Sequence, residues 1–352
     1  MITLEVYLFH SKKNEFAKEV FKEIEIIDLF DLLLKLKPLI KDPEKPLCLI
    51  KDIETQKYLV VKCIFAENHL RMSCAEDELH NLKSLNYFDI PHVLKLVWGG
   101  NIKDKNNYNN CIMCFDYIKP QQKVNNLRQL AAFSSINDDK IWRAALFQTL
   151  FTLYALQKKF SSFRHNDLKA DNVLIHFLEN LQPQEEIGYT KYAINLQNNG
   201  ALSLPERIQR IWKLPNIVSA KIIDFELSTS KDDFFQSKAI ENNDMQNNLL
   251  LDDYGLIKNE CAVFDVHLLL YDSLISAEKN TTVHEKLKEF SEKFIPSMYF
   301  NKAFLTKQCR LKKDDQDKLH KELGPLLIPR MLSDTYFFDF RRPSDCHPDF
   351  EI

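Results

Sequence analysis

Residues 165–172, His-Asn-Asp-Leu-Lys-Ala-Asp-Asn, constrain the fold of this chain more than any other stretch. Upstream lies "DKIWRAALFQTLFTLYALQKKF", apolar on almost every face, which predicts a central buried helix. Downstream lies "VLIHF", which predicts a strand. Phe163 on one side and Val173 to Ile175 on the other would hold the polar segment against a core. The chain must therefore present Asp167, Lys169 and Asn172 from a short loop between a buried helix and a strand. A polar helix cap would leave the following strand unexplained.

Two further sites follow the same logic. "AKIIDFELS" places Asp224 at the end of an apolar strand, with Phe225 expected in the core. "YLVVKCIF" places Lys62 on a strand, and "EDELHNLKSL" places Glu78 on a helix whose packing face is Leu79, Leu82 and Leu85. An inward lysine is costly unless paired, and the helix carboxylate is the natural partner. Phosphoryl transfer needs a carboxylate to orient the attacking hydroxyl, a cation on the moving group and oxygen ligands for Mg²⁺. Asp167, Lys169 and Asn172 supply those types within six residues, and Asp224 would complete the metal site.

Composition narrows the alternatives. The charge of −3 over 352 residues carries no signature of nucleic-acid or membrane-surface binding. Six glycines in the whole chain lie far below the usual frequency of about 7%, so a glycine-rich phosphate grip must be replaced by something else. "MITLEVYLFHSKKNEF" holds no long apolar stretch, so no secretory leader is expected, and the eight cysteines read as reduced thiols. Cys111 and Cys114 form a C-x-x-C on a predicted strand, where positions three apart face opposite sides, which argues against shared metal or redox chemistry. Asp and Lys interrupt "IIDLFDLLLKLKPLI", so no membrane span is expected.

Along the chain, apolar spacing predicts a helix over 12–38, a hairpin over about 46–65 and a helix around Glu78. Strands near "HVLKLVWGG" and "NCIMCFDYI" come next, then the buried helix from Asp138. "AVFDVHLLLYDSLISA" predicts a second apolar helix, and the remainder is charged and helical, with an irregular tail from about Ser333. The division is a mostly helical extension at 1–38, a β-rich lobe at 39–118 and an α-rich lobe at 119–352 with an insert at about 176–219. The class is α+β. In "LSLPERIQRIWKLPN", packing of Ile208, Ile211 and Trp212 is the expected use of the insert.

The order Lys62, Glu78, "HNDLKADN" and "IDFE" resembles the protein kinase superfamily over about residues 40–300, and so implies a bilobal protein-kinase-like fold with ATP and Mg²⁺ as cofactors. By that resemblance Asp167 and Lys169 are catalytic, Asn172 and Asp224 hold metal, and Lys62 and Glu78 form the phosphate-binding pair. Leu47, Val60 and Leu174 would sandwich adenine, Phe115 would guard the pocket, and Asp116, Tyr117 and Ile118 would form the hinge. Asp265 in "VFDVHLLLYDSL" resembles the helix aspartate that braces the catalytic loop.

Departures from the pattern define a subtype. "IKDPEKPL" replaces the glycine-rich loop, leaving Lys45 as a point charge. Asn166 replaces the arginine after His165, so no activation-loop phosphoswitch is expected. Glu226 replaces the glycine after Asp-Phe, no Ala-Pro-Glu precedes Asp265, and a long stretch separates Asn172 from Asp224. This set resembles haspin-like atypical kinases and the serine/threonine kinases of large cytoplasmic DNA viruses such as poxviruses and iridoviruses. The resemblance implies protein serine or threonine acceptors and an intracellular, cytoplasmic setting, in the host cell or virion for a viral protein. A small-molecule kinase of the choline or aminoglycoside type and a pseudokinase scaffold are the competing readings. Oligomeric state is not legible.

Overall fold

The computed structural model describes residues 2–10, 15–26, 47–52, 55–65, 69–103, 109–119, 124–132, 139–178, 189–196, 208–215, 217–232, 234–241, 256, 261–307, 309–324, 326–342 and 348–352. Six strands form an N-terminal antiparallel sheet: β1 (Ile2–His10), β2 (Glu15–Ile26), β3 (Leu47–Asp52), β4 (Tyr58–Ile64), β5 (Leu96–Lys103) and β6 (Asn109–Asp116). Their order is β2-β1-β3-β4-β6-β5. The β3–β4 hairpin closes where predicted, on a turn in which Asp52 accepts hydrogen bonds from the Thr55 amide and hydroxyl.

One expectation fails at the sheet's edge. Glu15–Ile26, read as part of a helix over 12–38, is a strand paired with β1 from Ile2↔Ile26 to His10↔Glu15. Its apolar residues fit a helical period, but Val20, Ile24 and Ile26 are β-branched, and a complementary neighbouring strand overrides local propensity. The rest of that predicted helix, and Lys45, lie outside the described residues.

Helix α1 (His69–Phe88) crosses from β4 to β5 and buries Leu79, Leu82 and Leu85. The neighbouring strand β6 and this helix together explain one of the scarce glycines. A Cβ at Gly99 would lie 2.7 Å from the Ile112 carbonyl and 3.0 Å from a Leu79 methyl carbon. The two sheet faces then diverge. Cys48, Ile50, Val61, Cys63, Ile112 and Cys114 form a sealed cluster on one face. Ile64, Cys111, Met113 and Phe115 join the main core on the other. Cys111 and Cys114 thus face opposite sides, as strand geometry requires, and every cysteine among the described residues is a free thiol.

The C-terminal lobe forms around α2 (Leu127–Ala132) and α3 (Asp139–Lys159), whose residues from Trp142 to Leu156 are all buried. Helices α4 (Ala262–Ser276), α5 (Thr281–Glu292), α6 (Lys313–Leu323) and α7 (Leu327–Leu332) supply most of the remaining helical part, with a single turn at Lys238–Glu241. A two-stranded sheet, β7 (Val173–Phe177) with β10 (Val218–Ile222), packs on α3 through β10. The insert between them contributes β8 (Tyr189–Leu196) and β9 (Ile208–Pro215), widened by β11 (Arg341–Arg342) and β12 (Phe350–Glu351) into a four-stranded sheet. Ile211 and Trp212 are buried as expected, and the Trp212 ring lies 5.5 Å from Phe147 of α3. The tail read as irregular thus supplies two short strands. The architecture is α+β and bilobal, sheet-rich first and helix-rich later. No described helix is long and apolar enough to cross a membrane.

Candidate active site

Strand register builds the upper side of the site. Directly opposed residues share a face, and Leu47 pairs with Lys62, which pairs with Met113, while Val60 pairs with Phe115. Leu47, Val60 and Lys62 are half-buried, whereas Val61 and Cys63 on the reverse face are sealed. The chain after Phe115 leaves the sheet through exposed Asp116 and half-buried Tyr117 and Ile118. The Tyr117 amide donates to the Tyr58 carbonyl at 3.1 Å, which fixes the exit direction. Below, Leu174 is half-buried on β7, on the face opposite the sealed Val173 and Ile175.

Lys62 Nζ donates to Glu78 Oε2 at 2.5 Å and lies 3.9 Å from Asp224 Oδ1. Burial alone would lower the lysine's proton affinity, but Glu78, Asp224 and Glu226 outweigh it and hold the ammonium protonated. Glu226 belongs to the same group: one carboxylate oxygen each from Glu78, Asp224 and Glu226 lie within 4.8 Å of one another. Burial, with Asp224 beside it, pushes the Glu226 carboxyl up to about 7. Asp224 itself takes a left-handed conformation, φ 69°, at the turn leaving β10.

The loop at residues 165–172 is held from below. Asp265, in the first turn of α4, accepts the His165 amide at 2.8 Å and the Asn166 amide at 2.9 Å. His165 Nε2 donates to the Ile223 carbonyl at 2.9 Å, which leaves Nδ1 to accept the Asp167 amide at 3.3 Å. Asn166 has φ 65°, a region asparagine tolerates, and its amide donates to Leu227 and Thr229. Asp272 of α4 accepts the Ala170 amide at 2.8 Å and pairs with Arg128, which also reaches Asp171.

Asn172 joins the two carboxylates. Its Nδ2 donates to Asp167 Oδ2 at 3.0 Å and to Asp224 Oδ2 at 3.3 Å. Lys169 Nζ donates to Asp167 Oδ2 at 2.8 Å, and Arg310 pairs with Asp167 Oδ1. Burial would raise the Asp167 carboxyl, but Lys169 and Arg310 hold it below the usual range. Lys62, Glu78, Asp167, Lys169, Asn172 and Asp224 are therefore brought together by direct contacts.

Arg310 was not foreseen in the sequence, nor was Asn81. Asn81 is fully buried in α1, and its side chain donates to Phe225 O at 2.8 Å and Gln236 O at 3.2 Å while accepting the Gln236 amide. Asp77 accepts the Lys238 amide at 2.6 Å. The helix carrying Glu78 is thereby tied to the segment after Asp224. The polar run Asp77, Glu78, Asn81 at helical spacing was the available signal.

No protein-family model matches the chain. It is 25% identical over 166 residues to the "Putative serine/threonine-protein kinase R400" of Acanthamoeba polyphaga mimivirus, a match covering 46% of this chain and 31% of that protein. The match thus spans under a third of the relative's length. Among solved structures, the crystal structure of the PF14_0431 kinase domain aligns at TM-score 0.36 and 15% identity, over 83% of this chain and 91% of that one. WaaP in complex with acyl carrier protein aligns at TM-score 0.38 and 9% identity, over 86% and 93%. At such scores neither carries the fold assignment, which rests on strand order and loop geometry. The fold is α+β and bilobal, and the site carries asparagine after His165 and glutamate after Asp-Phe.

Proposed function

We propose that this chain is an ATP- and Mg²⁺-dependent protein kinase of atypical type that phosphorylates serine or threonine hydroxyls. The observation that carries the reading is the convergence of Lys62, Glu78, Asp167, Asn172 and Asp224 from four separate elements into one contact chain. A structural ion pair would need only two of them.

The donor set suits a hard cation, because Asp224 offers a carboxylate and Asn172 an amide oxygen, both oxygen ligands of the kind Mg²⁺ takes. When bound, ATP supplies the phosphoryl group and Mg²⁺ neutralises the charge on its phosphates. The chain's own residues do the rest. Leu47 and Val60 above and Leu174 below present apolar surface for a base, and the backbone of Asp116 to Ile118 offers hydrogen-bonding groups at its edge. Lys62, held protonated and aimed by Glu78, binds phosphate oxygen. Asp167, kept ionised, accepts a hydrogen bond from the acceptor hydroxyl and orients it, while Lys169 faces the developing charge. The printed name of the viral relative supports a protein acceptor, as does Lys169 at its position in the loop.

The test is Mg²⁺-dependent transfer from ATP to casein or histone, run beside choline and aminoglycoside acceptors. Asp167→Asn is expected to lower transfer on the order of 10²- to 10⁴-fold. Transfer to the small molecules alone would make this a small-molecule kinase. Tight ATP binding without turnover in the unmutated chain would make it a scaffold.

A further inference from the structure

We propose that Arg310 is a positioning residue of the active site, a guanidinium delivered by a downstream hairpin that fixes the Asp167 carboxylate for its acceptor. The inference rests on the kinase reading above and extends it to a residue outside the familiar motifs. Asp167 Oδ2 is already held by Lys169 at 2.8 Å and Asn172 at 3.0 Å. A carboxylate gripped at one oxygen still pivots. The Arg310 contact to Oδ1 removes that freedom, so both oxygens are anchored and the plane of the group is set.

The hairpin bringing Arg310 there is built for it. Leu305 and Leu311 are buried and form an antiparallel bridge. Between them Thr306 N donates to the Arg310 carbonyl at 2.7 Å, Thr306 Oγ1 accepts the Arg310 amide at 3.3 Å, and Cys309 N donates to the Thr306 carbonyl at 3.0 Å. Cys309 takes φ 59°, a costly conformation for a side chain of its kind, and it turns the chain so that the next residue points inward. Gln316 ties the hairpin to the catalytic-loop side, donating to the Leu311 carbonyl at 2.8 Å and accepting from Arg164 at 3.3 Å. Arg310 is only 7% exposed, so its charge is buried against the carboxylate it meets. A purely structural pair would serve as well between residues away from the site. Here the partner is the one carboxylate that must face the acceptor hydroxyl. Oδ1 meets Arg310, and a carboxylate oxygen has the capacity to accept a second hydrogen bond, here from that hydroxyl.

The experiment measures kcat and the KM for ATP in the full chain and in Arg310→Gln and Arg310→Lys. Misorienting Asp167 is expected to lower kcat on the order of 10²-fold in Arg310→Gln. The KM for ATP should hold, because Lys62 and the base-binding strands are untouched. Arg310→Lys keeps a cation without the planar fork and should retain more of kcat. Free guanidinium at low millimolar concentration should restore part of the Arg310→Gln loss. Unchanged kcat in folded Arg310→Gln overturns the role, and raised kcat overturns it too, making the contact a block on the site. If the glutamine variant does not fold, Arg310→Lys decides: a lower kcat at constant KM supports the role, and a wild-type kcat overturns it. An unmutated chain without phosphate transfer overturns the kinase reading and this role with it. An active chain indifferent to Arg310 overturns this role alone.

Discussion

In the six-stranded sheet, Leu47, Val60 and Lys62 stay half-buried on a face whose Met113 and Phe115 join the core, while the reverse face seals Cys48, Val61 and Cys63. In the four-stranded sheet, Tyr192, Ile194, Trp212 and Leu214 are driven fully into the core against α3. The first sheet forgoes burial at those three positions, where Lys62 meets Glu78 and Asp224. The second contributes no group to the site, and its effect arrives indirectly. Phe147 of α3 meets Tyr192 edge-on and Trp212 at a tilt, and the next residue, Gln148, donates to Val218 O at 3.0 Å and accepts from Ala220 N at 2.7 Å. Those residues belong to β10, which ends just before Asp224. The insert is thus a brace whose load path runs through α3 to a site carboxylate.

The comparison breaks most directly at Trp212. Replacing a sealed tryptophan by alanine costs about 3–5 kcal/mol through lost burial and the cavity left behind. Trp212→Ala should therefore shift the denaturant midpoint strongly while the folded fraction keeps its KM for ATP. A variant with normal stability and altered phosphate transfer would mean that the insert belongs to the chemistry after all.

Lys62→Met is the converse change. Transfer should fall on the order of 10²-fold, since a cation on the phosphates is removed from a water-poor site. Stability should move less than in Trp212→Ala. Burial, and Asp224 beside it, already push the Glu78 carboxyl up, so Glu78 can take a proton once its partner is gone. A large stability loss with transfer intact would make the Lys62–Glu78 pair a structural bolt.

The two sheets also differ in how far sequence alone reveals them. The loop at residues 165–172 was legible as a loop because its polar residues are contiguous and its flanks change period abruptly from helix to strand. Lys62 and Glu78 were legible once a strand and a helix of the right order surrounded them. The four-stranded sheet was not, because β11 and β12 are two residues each and acquire meaning only on docking to β9 and β8. Glu15–Ile26 was misread for a related reason: its partner β1, not its own periodicity, decides its conformation. Arg310 sits between Cys309 and Leu311 in a stretch with no recognisable pattern, and the carboxylate that explains it is 143 residues away. Local chemistry leaves a local trace, whereas pairing at a distance leaves almost none.

The smallest effect separates the sheets by pH. His92 Nε2 lies 2.6 Å from the Tyr192 hydroxyl, and its ring stacks on that of Tyr192 in the brace. Burial, helped by Lys221, lowers the His92 imidazole to about 3. Burial likewise lowers His267 in α4 to about 4. Both lie below the ordinary value of about 6.5. Between the folded and unfolded values the unfolded chain binds the proton and the folded chain does not. Stability contributed by the neutral rings is therefore complete above about pH 6.5 and declines as pH falls below it, with a slope approaching 1.4 kcal/mol per pH unit for each histidine. Glu226, pushed up to about 7, acts in the opposite sense over this range because the folded chain takes up its proton first. The comparison is therefore between variants: the urea midpoint of His92→Gln should fall less, or rise more, between pH 7 and pH 5 than that of the unmutated chain. If His92→Gln leaves the pH dependence untouched, the brace is not where the acid sensitivity lies, and the carboxylates of the site become the groups to titrate.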